Sequence, residues 1–405
     1  MLDAHARTAV ARLAASVLSV KPLVAGLAGP VRVVPVPGEG AEPPAGRPGR
    51  RQSRLGRDDL RRLLDRVAGT AGVAGLALAP ELAPDEVDVF ERVVSDRLAL
   101  ADLAGLPALP DADVDRVVAE AVAGSFDVVF HQDTAVAADG MPLRVYAAGS
   151  GDEAVVVVPA CGMPAALAES WMRVVARDRR VLAWESRGLF GADGCRDDYA
   201  VDTETQAGDL FTVLDHYGVS RAHVIGLCGG AVIGLAAAAA RPSRISSLSL
   251  WHGAYAFAGG SPRTRFQHDL IELMVLAARS RAAARSVQAA FCRMALTTTP
   301  AEQAHLVLYP YTNPDLFYRY CRLNGALAMT DVDGYLPRVG QPALVVTSED
   351  DQTAHPQGSR QVADGLPNGR LRVEPHGDHS TLFRSGNPLT RVAVDFIAGL
   401  APASA

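Results

Sequence analysis

Lysine is nearly absent from this chain: of the 39 basic residues only one, Lys21, is a lysine. A Walker-type phosphate loop ends in a lysine, and pyridoxal and other Schiff-base enzymes hold one in the site, so both classes are excluded. The net charge of −6 argues against a protein that binds nucleic acid through its phosphates. We therefore predict no nucleic-acid partner and no cofactor.

Cysteines are few and widely spaced, and they contain no Cys-x-x-Cys pair. The 5 cysteines are Cys161, Cys195, Cys228, Cys292 and Cys321. An odd number at such spacing indicates neither a disulfide scaffold nor a zinc ribbon. The cysteine usage favours a reducing, cytoplasmic compartment.

A long hydrophobic run is also missing near the start of the chain. The apolar stretch at residues 9–29 is interrupted by Arg12, Lys21 and Pro22. A helix that spans a bilayer needs about 18 or more consecutive apolar residues. We therefore predict an amphipathic helix and no membrane span.

The length of 405 residues predicts two or three domains, or one large domain with additions. Residues 1–125 read as a helical N-terminal extension, with a Pro/Gly-rich linker at 29–57. Residues 126–257 and 341–405 alternate strands with helices, which predicts a doubly wound, mostly parallel α/β sheet. Its first two strands, at 127–131 and 143–147, are predicted to form a hairpin through Asp139-Gly140. Residues 258–340 are predicted to form a helical lid inserted after the sixth strand.

The strongest local motif is Gly226-Leu-Cys228-Gly-Gly230, which follows a strand and opens an Ala-rich helix. A nucleophile on such a sharp turn has a strained backbone, and side chains two residues on either side collide unless they are glycine. A buried cysteine beside packing glycines is the alternative interpretation. The downstream residues favour a nucleophile.

An acid and a base follow the cysteine in the chain order typical of a Ser/Cys-Asp-His triad. Asp350 and Asp351 follow a strand, and we favour Asp351 as the acid. His376 and His379 follow the next strand, and we favour His379 as the base because it lies in Gly-Asp-His-Ser. A metal site is the weaker alternative, because the spacing of its candidate ligands follows no usual pattern. Those ligands are His355, His376, Asp378 and His379.

Acyl chemistry at Cys228 needs hydrogen-bond donors for the oxyanion. We predict the backbone N–H of Gly229, directly after the nucleophile, and that of Met163, in the loop after the 155–158 strand. The loop carries Cys161, which is either a small apolar filler or a redox partner of Cys228. The turn at Glu185 reads as structural.

These motifs together resemble the α/β-hydrolase superfamily over residues 126–400. The cysteine in the elbow is similar to the cysteine-nucleophile branch, which includes carrier-protein aminoacyltransferases of syringomycin- and coronamic-acid-type pathways and, more distantly, polyhydroxyalkanoate synthases and thioesterases. Cys161 departs from the family's histidine in the oxyanion loop, and Glu185 departs from its aspartate. The resemblance implies a Cys228-His379-Asp351 triad.

The resemblance implies acyl or aminoacyl transfer through a thioester on Cys228, with an acyl- or aminoacyl-carrier protein or another thioester as partner. A thioester intermediate can pass its acyl group on to thiols and amines, which attack it more readily than water does. The alternatives are a thioesterase or esterase with the same triad, and a non-catalytic scaffold. A homodimer is compatible with the sequence.

Overall fold

The computed structural model describes residues 3–35, 55–79, 86–107, 109–190 and 198–400. Its helices are α1 (Ala4–Ala25), α2 (Arg57–Thr70), α3 (Val89–Leu98), α4 (Asp111–Ala123), α5 (Phe126–Val129), α6 (Glu169–Val175), α7 (Thr203–His216), α8 (Gly229–Ala240), α9 (Arg265–Ala277), α10 (Arg281–Leu296), α11 (Ala301–Val307), α12 (Pro314–Ala328), α13 (Pro356–Gly365) and α14 (Leu389–Ala398). Its strands are β1 (Val31–Val33), β2 (Leu76–Leu78), β3 (His131–Val136), β4 (Pro142–Ala148), β5 (Ala154–Val158), β6 (Arg180–Trp184), β7 (Ala222–Leu227), β8 (Ile245–Trp251), β9 (Ala343–Ser348) and β10 (Gly369–Glu374).

The chain divides into two compact units, one of 1–129 with 295–313 and the other of 130–294 with 314–405. The first unit is helical, as predicted, but it also contains a parallel pair of short strands, β1 and β2. This pair joins segments far apart in the chain, which local sequence patterns cannot reveal. Most of the predicted linker, residues 36–54, lies outside the described residues, and its start forms β1.

Helix α1 is long and apolar enough to cross a membrane by length and composition, with a mean hydropathy of 1.4 in its most apolar window. Arg12, Lys21 and Pro22 therefore do not disqualify α1 on length and composition, contrary to the expectation from the sequence. In the structure 44% of that window is buried, and α1 packs on α3, α4 and α11 within the first unit. Its inward side chains, Val10, Leu13 and Val17 among them, form a core of that unit.

The predicted lid boundaries need correction. Residues 295–313, placed inside a continuous 258–340 lid, belong instead to the first unit. The physical reason is that α11 packs against α1 and α3, and it buries Gln303, Ala304 and His305 there. Helices α9 and α12 remain in the second unit, where they pack on each other and α12 packs on α8.

The second unit is built on an eight-stranded sheet in the order β10-β9-β8-β7-β5-β6-β4-β3. Strands β3 and β4 run antiparallel, as do β4 and β6, and the other neighbours are parallel. The predicted doubly wound, mostly parallel sheet is confirmed. The first strand begins at His131 rather than residue 127, because residues 126–129 form a helical turn. The hairpin joining β3 to β4 turns at Asp139-Gly140 as predicted, with Gly140 at a φ of +83°.

The carboxyl ends of β7, β8 and β9 meet at one edge of this sheet, because the three strands are parallel neighbours. The first residues beyond those ends are Cys228, His252 and Glu349, in that order. Sites in open α/β sheets form at this edge. The topology therefore brings together residues that are far apart in the chain.

The first unit contains a buried histidine whose two ring nitrogens have no hydrogen-bond partner among the described residues. Burial, together with the positive charge of Arg97, lowers the pKa of His305 to about 3. The unfolded chain binds a proton near pH 6.5 and the folded chain does not. The stability contributed by His305 is therefore complete above pH 6.5 and is lost as the pH falls from there towards 3.

We expect the loss to approach about 1.4 kcal/mol per pH unit in this range. Hydrogen exchange of the α11 amides between pH 4 and 7 would measure it, after correction for intrinsic exchange. The control is His305→Leu, which should remove this part of the pH dependence. Equal pH dependence in the wild-type chain and the variant would contradict the prediction.

Candidate active site

Cys228 occupies a strained turn between β7 and α8. Its backbone has a φ of +54° and a ψ of −121°, which non-glycine residues rarely adopt. The backbone N–H of Cys228 donates to the Trp251 carbonyl at 2.9 Å, so the β7–β8 ladder holds the turn in place. The turn places the cysteine at the N-terminus of α8, where the helix dipole favours negative charge.

The flanking glycines are required by close backbone contacts. A Cβ at Gly226 would lie 2.6 Å from the Gly230 carbonyl oxygen, and a Cβ at Gly230 would lie 2.3 Å from the carbonyl oxygen of Val158. Side chains do not approach backbone atoms so closely. The expectation that only glycine fits two residues on either side of Cys228 is confirmed.

The structure brings His379 and Asp351 together with Cys228. His379 Nδ1 lies 2.9 Å from Asp351 Oδ2, and the cysteine side chain lies near enough to the ring to raise its pKa. Asp351 is completely buried. The competing pair lies apart from it: Asp350 faces His376 at 3.4 Å, and both side chains are more than half exposed.

The charges of this triad support one another. Burial works against the charged form of His379, but the negative charges of Asp351 and Cys228 outweigh it and raise the pKa of His379 well above its usual value. Burial also works against the Asp351 carboxylate. The positive charge of His379, with hydrogen bonds from His252 and His379, nevertheless lowers the pKa of Asp351 well below its usual range. The geometry therefore holds an ionised carboxylate against an imidazole that readily carries a proton.

The oxyanion donors are only partly as predicted. Gly229 is the first residue of α8, and the N–H groups of a first helical turn have no partner within the helix. The N–H of Met163 instead donates to the Ala160 carbonyl at 3.0 Å and closes a turn in which Gly162 has a φ of +76°. The Met163 N–H is therefore already hydrogen-bonded within a turn, so the prediction that it donates to the oxyanion is corrected.

Cys161 is a buried neighbour of the turn. A Cβ at Gly229 would lie 2.9 Å from its Cβ, and its thiol donates to Gln206 Oε1 at 3.3 Å. Burial raises the pKa of Cys161 to about 12. These contacts favour a small packed thiol over a second nucleophile, and its redox pairing with Cys228 stays a prediction.

The turn after β6 is held by ion pairs. Arg187 is buried and makes a bidentate contact with Asp209 at 2.7 and 2.8 Å, and it also reaches Asp139 at 2.7 Å. Glu185 accepts from Arg144 at 3.1 Å and from the Ala165 N–H at 3.2 Å. These contacts agree with a structural role for the turn.

The four residues of the metal alternative do not form one cluster. His355 accepts from the Gln357 N–H at the start of α13, His376 faces Asp350, and Asp378 accepts from the N–H of Thr381. Each of these side chains therefore has a local role. Among the described residues, the group with ligand atoms close enough to share an ion is His252, Asp351 and His379, within 4.8 Å.

His252 is the residue at this site that the sequence analysis missed. It follows β8, is 1% exposed, and its Nδ1 lies 2.8 Å from Asp351 Oδ2. Since Asp351 is ionised, the Nδ1–H tautomer is the one that fits. The available signal was positional: His252 follows a buried strand at the same sheet edge as Asp351.

Helix α12 packs over the loop after β5. Asn324 Nδ2 donates to the Cys161 carbonyl at 3.0 Å, and the Tyr320 ring lies against Gly162. On the same helix, Leu327 faces Gly229. The inserted helix therefore forms part of the wall around the nucleophile.

No protein family model matches the chain. RutD of Variovorax paradoxus, a protein named as a carbamate hydrolase, is 27% identical over 264 residues, which are 64% of this chain and 97% of RutD. RutD of Stutzerimonas stutzeri is 27% identical over 235 residues, which are 55% of this chain and 83% of that protein. The solved structure of the enol-lactonase from Burkholderia xenovorans matches with a TM-score of 0.51 and 21% identity, over 66% of this chain and 100% of that one.

The sheet order, the strained turn and the structural match define the class: the chain has the α/β-hydrolase fold. The chain is also similar in sequence to the two RutD proteins, at 27% identity to each. The resemblance to the cysteine-nucleophile branch rests on Cys228 itself, and these comparisons do not extend it.

The glycine contacts generate a prediction. Gly230→Ala places a methyl group against the Val158 carbonyl, so we expect it to destabilise the fold by about 1–3 kcal/mol. Gly208→Ala is the matched control, because it lies in α7 with nothing within 4 Å of the added Cβ. Thermal unfolding would compare them, and equal stability of the two variants would show that the close contact does not constrain the turn.

Proposed function

We propose that the protein is a hydrolase that cleaves activated acyl compounds, esters or thioesters, through a covalent intermediate on Cys228. The single observation that carries the proposal is the Cys228-His379-Asp351 arrangement at a strained turn, with one imidazole hydrogen-bonded to a buried carboxylate and next to the cysteine side chain. The similarity to RutD and to an enol-lactonase supports hydrolysis rather than transfer as the first function.

The first half of the proposed reaction forms an acyl-enzyme. His379 holds the proton of the Cys228 thiol, and the sulfur attacks the substrate carbonyl carbon. The electron pair of the C=O bond moves onto oxygen, where the N–H of Gly229 donates to it. When the tetrahedral species collapses, the bond to the leaving group breaks, and His379 protonates that group as it departs.

The second half returns the enzyme to its resting state. A water molecule gives its proton to His379 as its oxygen attacks the thioester carbonyl. The C–S bond then breaks, the acid product departs, and the sulfur and imidazole again share one proton. Asp351 keeps its charge throughout and holds the Nδ1–H of His379, so the opposite nitrogen faces the sulfur.

The substrate class follows from the nucleophile and the walls around it. A thiolate is a good leaving group, so formation of the acyl-enzyme is favoured for substrates that carry a comparably good leaving group, such as a thiol, phenol or enol. The wall formed by Leu327 and Tyr320 is apolar or aromatic, which favours an acyl chain without charge. Carbamates are worth including among the test substrates because of RutD.

Acyl transfer is the second candidate, and the observation that favours it is the cysteine itself. A thioester intermediate exchanges readily with an acceptor thiol, as in the phosphopantetheine arm of a carrier protein. The acceptor would compete with water for the same intermediate. A scaffold without catalysis is disfavoured because all three members of the triad are present and in contact.

Intact-protein mass after mixing with a panel of acyl thioesters and aryl esters is the test of this proposal. We expect a transient adduct on Cys228 that is lost to water, with release of free acid. The adduct should be absent in Cys228→Ala. Cys161→Ala is the matched control, because a buried thiol outside the triad should leave the adduct intact.

A chase with an unloaded carrier protein separates the two candidates. If the adduct moves to the carrier thiol faster than it is lost to water, transfer replaces hydrolysis as the function. If no substrate in the panel labels Cys228 while the protein is folded, the nucleophile assignment is wrong.

A further inference from the structure

A second histidine contacts the triad carboxylate. His252 Nδ1 lies 2.8 Å from Asp351 Oδ2, the same oxygen that His379 Nδ1 contacts at 2.9 Å. The other oxygen of Asp351 accepts the backbone N–H groups of Thr353 at 2.8 Å and Ala354 at 2.9 Å. Two imidazoles therefore share one carboxylate oxygen, while the backbone holds the other.

The backbone conformation of His252 is strained. Its φ of +48° is in the left-handed region, which is strained for a residue with a bulky side chain. Its backbone N–H donates to the Val346 carbonyl at 2.9 Å, so β8 and β9 hold this conformation together. The buried Nε2 has no partner among the described residues. Among the described residues, therefore, Nδ1 is the ring nitrogen of His252 that makes a hydrogen bond, and its partner is Asp351.

We propose that His252 is a positioning residue of the active site: its Nδ1–H takes up part of the charge on Asp351 Oδ2, and so it fixes the carboxylate and makes His379 a weaker base. A hydrogen-bond acceptor shared between two donors binds each of them less strongly than it would bind one. A less basic His379 gives up its proton more readily to the leaving group. The inference rests on the proposed function only in taking Cys228 as the nucleophile.

The titratable groups that face His379 come from three strand ends. They are Cys228 after β7, His252 after β8 and Asp351 after β9. Asp378, its neighbour in sequence, turns its carboxylate towards Ser380 and Thr381. His252 therefore reaches His379 in two ways, through the shared carboxylate oxygen and by an edge contact between the rings, whose centroids lie 5.9 Å apart.

Two variants isolate the shared hydrogen bond. His252→Asn keeps an N–H at the same bond distance from the backbone as Nδ1, and asparagine tolerates a positive φ. His252→Leu has nearly the same shape but no donor. Both lose the rest of the ring, so they differ in the N–H donor and in their tolerance of the positive φ at this position.

The experiment measures the charge state of His379 through the rates at which two reagents alkylate Cys228. Anionic iodoacetate is attracted to a protonated His379 and neutral iodoacetamide is not, so the ratio of their rates falls as His379 loses its proton. The two alkylation rates are measured at each pH from the mass of the Cys228 peptide. The pH at the midpoint of the fall in their ratio is the pH at which half of the His379 side chains have lost the proton. This measurement needs no substrate, so it stands even if the proposed hydrolysis fails.

We expect His252→Leu to move the midpoint upward by roughly half a pH unit, and His252→Asn to leave it near the wild-type value. With a substrate in hand, His252→Leu should lower kcat more than it changes KM. Equal midpoints in all three proteins, a downward shift, or the same shift in both variants would overturn the inference and leave His252 as a packing residue.

A measurement on the wild-type protein covers the case in which His252→Leu does not fold. Nitrogen-15 NMR of the histidines distinguishes the two tautomers of a neutral ring. We expect the proton of His252 on Nδ1, with a hydrogen-bonded resonance at low field in addition to that of His379. A proton found on Nε2 alone would overturn the inference.

Discussion

The active site depends on one buried charge. Asp351 is completely buried, and an isolated carboxylate in such a place would take up a proton rather than stay ionised. It stays ionised because two imidazole nitrogens and two backbone N–H groups surround it. Each of those donors needs its own support: the turn after β9 supplies the backbone groups, the strained residue after β8 supplies one imidazole, and the loop after β10 supplies the other.

The cysteine changes the chemistry that this framework can perform. A serine in the same turn would depend on a strong general base, whereas a thiol needs little activation and leaves easily from its acyl-enzyme. A base of moderated strength suits such a nucleophile, because the thiol needs little help to lose its proton, whereas the leaving group must receive a proton from His379. The shared carboxylate oxygen is a structural way to reach that balance, and it accounts for a strained histidine in the core.

The inserted segment shows where local patterns and tertiary structure diverge. Residues 258–340 have one helical character throughout, so the sequence predicts one lid. The structure instead assigns 295–313 to the N-terminal unit, because α11 packs against α1 and α3 and buries Gln303, Ala304 and His305 there. Helix α12 stays in the second unit, and its side chains reach the Cys161 loop and Gly229. The face that a helix buries depends on the element it packs against, and the helical periodicity of the sequence does not identify that element.

The sequence by itself determined the sheet class, the turn at Cys228 and the choice of Asp351 and His379 over their neighbours. Strand patterns, glycine spacing and chain order are local or one-dimensional properties, so they can be read without coordinates. Only the tertiary structure decided the fate of the Met163 N–H, which a turn engages, and the role of His252. The Met163 N–H donates to the Ala160 carbonyl in a local turn whose conformation the motif does not specify. His252 and Asp351 are separated by a helical insertion in the chain but follow adjacent parallel strands, so only folding brings them together.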